Sequence, residues 1–220
     1  MSSTSAADTS AGSVTRRAAV DKRRSILDAA APVFGEFGYQ RASVDAIATA
    51  AGVSKPTIYS YFGGKEQLFR ASVADSAQHL NAESLAVVQA LDVRPPHWET
   101  SLRKAAYQLS VCQRSDCAAA LGRLINAEAT RDPEVFRSVR RAGYQPIVDA
   151  LAGKLAMLGN AGLLDLPDPV LAAKQFFALI HAELPDLTAL GTQQASDRAV
   201  RTAVEAGVAT FLRAYAAAGD

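Results

Sequence analysis

Lys55, Thr57, Tyr59 and Lys65 lie in and just beyond a short run, V-S-K-P-T-I-Y-S-Y-F, at residues 53–62. Ile58 and Phe62 are four positions apart, so on a helix both turn to the same inner side. Lys55, Thr57 and Tyr59 are left pointing elsewhere, toward solvent or a duplex. Lysines neutralise phosphate as point charges, while a threonine hydroxyl and a tyrosine ring offer hydrogen bonds and apolar contact to base edges. The chemistry within reach is recognition of a polyanion, read from one face of a short helix.

That helix needs elements to hold it. Ser43 is placed to cap a preceding helix by accepting from its free backbone N–H groups. Val44, Ile47 and Ala48 form the apolar edge of that helix, and Ala50 and Ala51 are small enough for close approach. Gly52 follows as the residue able to adopt positive φ at a helix C-terminus. Val53 plugs the corner, Ser54 caps the second helix, and Pro56 sits early, where a missing N–H costs little. Residues 43–65 therefore read as helix, glycine turn and helix, the arrangement that lays its second helix into a DNA major groove. A purely structural helical hairpin shows the same turn and caps, but it does not usually spend tyrosines and lysines on the outer side of the second helix.

With those residues set out, residues 23–70 resemble the N-terminal domain of TetR-type (tetracycline-repressor-like) transcriptional regulators. The matching stretches are R-R-S-I-L-D-A-A-A-P-V-F-G-E-F-G-Y, V-D-A-I-A-T-A-A-G-V-S-K-P-T-I-Y-S-Y-F and K-E-Q-L-F. The resemblance implies an all-helical homodimer that binds a palindromic operator and releases it when a small molecule enters the C-terminal domain. It further implies that Lys55, Pro56, Thr57, Tyr59 and Tyr61 belong to the recognition segment, and that Ser43 and Lys65 hold phosphates.

Charge distribution points the same way. The 220 residues carry a net charge of only +1, which excludes a uniformly basic nucleic-acid coat. Residues 1–70 nonetheless hold nine Lys/Arg against six Asp/Glu, and the remainder fourteen against sixteen. Positive charge therefore sits with the proposed reading element, where phosphate neutralisation needs it. Arg16, Arg17, Lys22, Arg23 and Arg24 make a basic start to the first helix; part of this is a solvated helix end, and Arg24 is the member carried forward as a phosphate contact. Beyond it, Ile26, Leu27, Ala30, Val33, Phe34 and Phe37 form an apolar stripe that ends near Gly35–Gly38 and is expected to be core.

Residues 1–15 are small, polar and aperiodic, and are expected to be disordered. They have neither the basic start nor the apolar run of a secretory signal, and no segment approaches the roughly 18 apolar residues of a membrane span. Cys112 and Cys117 make no disulfide scaffold; a reduced pair in the cytoplasm is expected.

The rest of the chain reads as helices. Gly63 and Gly64 precede a long helix near 65–91, and Trp98 opens the next. Further helices fall near 116–130, 133–158, 168–190 and 196–217, with Asp132–Pro133 and Asp168–Pro169 as starts. The expected fold is all-α: a three-helix helix-turn-helix DNA-binding domain at 16–64 and a larger helical effector-binding and dimerisation domain at 65–220, after a tail at 1–15.

Residues 121–191 resemble, through L-G-R-L-I-N-A-E-A-T-R-D-P-E-V-F and A-G-L-L-D-L-P-D-P-V-L-A-A-K-Q-F-F-A-L-I, the C-terminal domain of AefR-like members of the same family. This implies a homodimer built from 168–190 and 196–217 and their counterparts. Phe176, Phe177, Leu179, Ile180 and Leu184 carry more apolar surface than one helix side needs, which suggests a partner. Pro185 should kink or stop that helix. The family resemblance also implies an effector held in the helical body beneath the long helix. Trp98, Tyr107, Cys112, Arg123, Asn126, Phe136, Tyr144, Gln175, Phe176 and His181 are the candidate liners, as polar or aromatic residues in apolar helices.

An enzyme would need converging acids, bases, nucleophiles or metal ligands. His79, His97 and His181 are scattered, the cysteines lack a C-x-x-C spacing, and no Gly-rich phosphate loop is present. His79 and Glu83 share a helix face, which is typically a surface contact. No catalytic residue, metal or cofactor is expected. A helical adaptor without DNA activity is the remaining alternative, and it leaves the charge placement and the tyrosine-bearing helix unexplained.

Overall fold

A computed structural model describes the backbone of residues 7–217 and the side chains of 19–217 apart from 116 and 117. The chain divides into two compact units, with the boundary between Asp75 and Ser76. All regular elements among the described residues are helices, and the only β-type pairing there is an isolated bridge between Leu164 and Ala216.

The first unit contains α1 (Ala7–Arg41), α2 (Val44–Ala50), α3 (Lys55–Phe62) and the start of α4 (Lys65–Gln89). Helix begins at Ala7, so the tail expected to be disordered over 1–15 is helical from that residue onward; 1–6 lie outside the described residues. Ala7, Ala11, Ala18 and Ala19 are strong helix formers, and extending an existing helix adds one bond per residue without a new nucleation cost. The regular helix bends at Gly38, whose φ is 68°. Ile26, Leu27, Ala30 and Phe34 are buried as the stripe predicts, while Phe37 is left 42% exposed. The unit reaches past residue 64 because Leu68, Phe69 and Val73 of α4 are buried. The Phe69 ring stands edge-on to Phe34 at 4.9 Å and to Tyr39 at 5.2 Å.

The second unit continues α4 and adds α5 (Trp98–Gln113), α6 (Asp116–Ala129), α7 (Pro133–Val139), a π-helical turn at Arg140–Tyr144, α8 (Gln145–Asn160), α9 (Pro169–His181), α10 (Leu184–Leu187) and α11 (Asp197–Tyr215). Asp132 and Asp168 cap α7 and α9, each with proline in the first turn. The π turn lies where Pro146, without an N–H, would otherwise interrupt an α-helical ladder from 133 to 158. Buried side chains of α5, α8, α9 and α11, among them Leu102, Leu151, Leu155, Phe176, Ile180 and Phe211, form the core.

The helix expected over 168–190 is broken. α9 ends at His181, Pro185 opens the short α10, and Ala189, Leu190 and Gly191 follow with φ of 46°, 58° and 79°. The apolar excess read on that segment is also taken up within the chain. Phe176, Phe177, Ile180 and Leu184 are buried, with Phe176 against Phe211 at 5.0 Å and Phe177 against Tyr144 at 5.7 Å. No described helix is long and apolar enough to cross a membrane.

Candidate functional site

The helix pair of the first unit forms as its local chemistry dictates. Ser43 Oγ accepts from the Ala46 N–H at 3.4 Å and caps α2. Gly52 takes φ 66° at the turn, and Ser54 Oγ accepts from the Thr57 N–H at 3.3 Å to cap α3. Pro56 occupies the first turn of α3, and Gly63, at φ 79°, closes it. Ile58 and Phe62 are buried, so the helix is fixed by one face and presents the other.

Lys55, Pro56, Tyr59 and Ser60 are exposed on that outer side, with Tyr59 at 42%. Thr57 and Tyr61 are half-buried. Thr57 turns its hydroxyl to Ser54 Oγ at 2.8 Å, a second cap contact. Lys55 Nζ donates to Asp45 Oδ2 at 3.0 Å, and this hydrogen bond raises the ammonium pKa. Both partners are largely in water, so the pair screens readily and can be exchanged for a phosphate. Lys65 Nζ donates to the Gln40 carbonyl at 3.1 Å and stands 4.8 Å from the Tyr39 ring centre.

Arg24, expected to contact phosphate, is paired within the unit. It donates to Asp28 at 2.9 Å and to Asp75 at 2.9 Å, bracing α1 against α4, and the hydrogen bond with Asp28 is the main cause of its raised pKa. Its partners lie 4 and 51 positions away, and the longer pairing carries no local signal. Arg23 instead lies over the Phe62 ring at 5.4 Å. Arg16 and Arg17 fall outside the described side chains. Ser60, exposed between the two tyrosines, was not singled out from the sequence; its signal is its place on the face opposite Ile58 and Phe62.

The second unit holds a cavity of about 710 Å³ bounded by the end of α5, α6, the end of α9, α10 and the loop at 188–194. Of the ten residues singled out as effector liners, Arg123, Asn126 and His181 meet there. Trp98, Tyr107 and Tyr144 pack partly buried on the core, with Arg201 stacked over Tyr107 at 4.0 Å and Arg140 over Tyr144 at 4.9 Å. Phe176 is in the core, Phe136 is 46% exposed beneath Arg140, and Gln175 accepts from the Tyr215 hydroxyl. Cys112 is a free thiol 4.0 Å from Glu83, its pKa pushed up by burial; the side chain of Cys117 is outside the described residues. No α4 residue lines this cavity, in contrast to a site beneath the long helix.

Burial lowers the His181 pKa to about 4, so its imidazole is neutral near pH 7. Arg114, missed from the sequence, also lines the cavity. It donates to the Ala195 carbonyl at 3.0 Å and pairs with Asp197 at the start of α11. Arg123 donates to the Gly191 carbonyl and ties the loop to α6. Among the described residues, no cluster of three His, Cys, Asp or Glu side chains could hold a metal ion.

A capped, glycine-turned helix pair in one unit and a helical body with a polar-tipped cavity in the other define the class. The chain belongs to the TetR family of bacterial transcriptional regulators. Residues 26–72 match the domain described as bacterial regulatory proteins, tetR family, and residues 100–217 match the AefR-like transcriptional repressor C-terminal domain. A TetR-family transcriptional regulator from Mesorhizobium loti is 31% identical with a TM-score of 0.79, over 90% of this chain and 98% of that one. The flavonoid-responsive regulator FrrA is 33% identical with a TM-score of 0.73, over 89% and 97%. The Bacillus subtilis transcriptional regulator YhgD is 44% identical over 50 residues, 23% of this chain and 26% of that protein. The chain matches about a quarter of the length of the first curated relatives. These relatives are regulators and not enzymes.

Proposed function

We propose that the protein is a ligand-responsive repressor that binds a palindromic DNA operator as a homodimer. The observation that carries this reading is α3: a capped rod locked by Ile58 and Phe62, with Lys55, Pro56 and Tyr59 turned outward. In the proposed complex Tyr59 and the α3 N-terminus meet base edges, and Thr57 and Tyr61 complete the recognition segment. Ser43 and Lys65 hold phosphates, with Arg24 at most a peripheral contact. Two copies of α3 enter successive major grooves about 34–36 Å apart on one face of the duplex. Acting on the genome, the protein works in the cytoplasm.

The dimer is built from α9 and α11. Leu171, Gln175 and Ala178 follow one another at helical spacing along the exposed side of α9, continued by its cap residue Ala182, and Thr202, Ala206 and Thr210 do so along α11. Small side chains let paired helices approach closely, and Leu171 at 47% exposure offers the apolar anchor. A small molecule bound in the second unit favours a dimer whose α3 spacing no longer fits the operator, with a coupling of roughly 1–3 kcal/mol, or about 5–150-fold. Repression is the simplest sign, because an occupied promoter excludes polymerase.

The test is selection of bound genomic fragments by the purified protein, followed by a panel of small molecules scored for release. FrrA is named flavonoid-responsive, so planar polyphenols belong in that panel. Selection should return an inverted repeat. Recovery of no sequence above background at low salt would reject the reading.

A further inference from the structure

Among the described residues, His181 Nε2 and Arg114 Nε are the buried side-chain nitrogens or oxygens that lack a hydrogen-bond partner. Both residues line the same 710 Å³ cavity. A buried polar group without a partner is costly, and the great majority are satisfied. Two such groups at one void are explained together if a bound molecule completes them.

The rest of the lining defines the chemistry of that molecule. No Asp or Glu is among the described lining residues, while Arg114 and Arg123 both are. Arg114 is matched by Asp197, but Arg123 has no carboxylate partner among the described residues. Among the described residues, Arg123 therefore gives this wall a positive charge that no carboxylate offsets. Ala118, Ala119 and Gly122 of α6 give a wall of small side chains, and Leu184 and Leu190 add apolar surface. The volume lies within the roughly 300–1,000 Å³ of small-molecule sites.

The opposite wall is built at a conformational cost. Ala189 and Leu190 hold positive φ, which side-chain-bearing residues rarely adopt. Gly191 follows, and a Cβ there would lie 2.7 Å from Ala119 Cβ, so the loop approaches α6 as closely as glycine permits. Arg123 fastens it through the Gly191 carbonyl. Backbone held in such conformations clusters at ligand clamps.

We propose that this cavity is the effector site, and that it takes a largely apolar molecule bearing a carboxylate or phenolic oxygen, held by Arg114, Arg123, Asn126 and His181. The inference rests on the reading of the second unit as effector-binding and deepens it. Because Arg114 joins the cavity to Asp197 and Ala195, occupancy bears directly on the start of α11.

Isothermal titration of the full-length protein with 2-naphthoate, 2-naphthol and 2-naphthylmethylammonium tests the assignment. The first two should bind once per chain, and the ammonium at least about tenfold more weakly. Arg123→Met should weaken 2-naphthoate by about tenfold or more and 2-naphthol less, as expected for loss of a charge-assisted contact. Asn126→Leu, a change at an exposed position, should weaken both, and His181→Leu should do so with an unchanged circular-dichroism spectrum. Absence of saturable binding up to about 1 mM, equal binding of the ammonium, or affinities unaltered in Arg123→Met and Asn126→Leu would each overturn the proposal. Binding seen only after the dimer is dissociated would overturn it too, by giving the cavity to a second copy. Repeating the titrations with a selected DNA fragment separates the two readings. Probes that bind as expected while neither they nor any panel molecule releases DNA leave the site standing and reject the effector role. A panel molecule that releases DNA yet competes with none of the probes keeps the effector role and rejects the site.

Discussion

Tyr59 is exposed on α3 between two buried anchors, so it can be removed without touching the core. Tyr59→Ala should lower operator affinity by roughly 1–3 kcal/mol, about 5–150-fold, and leave the gel-filtration profile unchanged; an unaltered affinity would remove Tyr59 from the interface. Asp45 holds Lys55 away from a ligand, so Asp45→Asn should release that cation. Affinity for random duplex should rise a few-fold at low salt, with the salt slope steeper by up to about one unit. Lys65→Ala should weaken all sequences alike and flatten that slope by about one unit. Because Lys65 also bonds the Gln40 carbonyl, a drop in the melting temperature of the free protein should accompany it. His181 carries a pH signature. Its folded value is about 4 against an ordinary 6.5, so the unfolded chain binds its proton first. The contribution is intact above pH 6.5 and is lost as pH falls from there toward 4, by roughly 3 kcal/mol in all. His181→Leu should therefore show a flatter loss of stability between those pH values in denaturant titrations; curves parallel to wild type would contradict the neutral buried imidazole.

At the scale of elements, α2, the turn and α3 were legible because each depends on neighbours a few positions away. Ser43 and Ser54 cap, Gly52 takes the positive φ, and Pro56 accepts the first turn. The break after His181 was half legible. Pro185 marks it, but nothing in the residue types Ala189 and Leu190 announces left-handed backbone. The pairing of Arg24 with Asp75 was not legible for a related reason, since the two lie 51 positions apart. The cavity depends on contacts such as Arg123 with Gly191, 68 positions apart, and could not be read from pattern. Nor could the closeness of α9 and α11. A Cβ at Gly207 would lie 2.5 Å from the Leu179 carbonyl oxygen and 3.0 Å from the Ile180 nitrogen, both backbone atoms unable to rotate aside. Gly207→Ala should cost about 1–3 kcal/mol and lower the melting temperature by several degrees. No loss would mean the two helices can part without penalty.

For the whole molecule, the account requires a symmetric pair. One chain presents one reading helix, and a palindrome is recognised only by two held at a fixed spacing. In the proposed dimer the exposed stripe of α9 supplies a face for this, so Leu171→Glu should shift sedimentation toward monomer while leaving the helical content of each chain in place. The same variant should lose most operator affinity although α3 is untouched, because the second half-site no longer assists the first. The most direct measurement is therefore a fluorescence-anisotropy titration of a selected inverted-repeat duplex with wild-type protein, Tyr59→Ala and Leu171→Glu at a fixed salt concentration. The account predicts tight binding at two chains per duplex for wild type, weaker binding at the same stoichiometry for Tyr59→Ala, and little specific binding for Leu171→Glu. Equal affinity of all three for the repeat and for a scrambled duplex would contradict it.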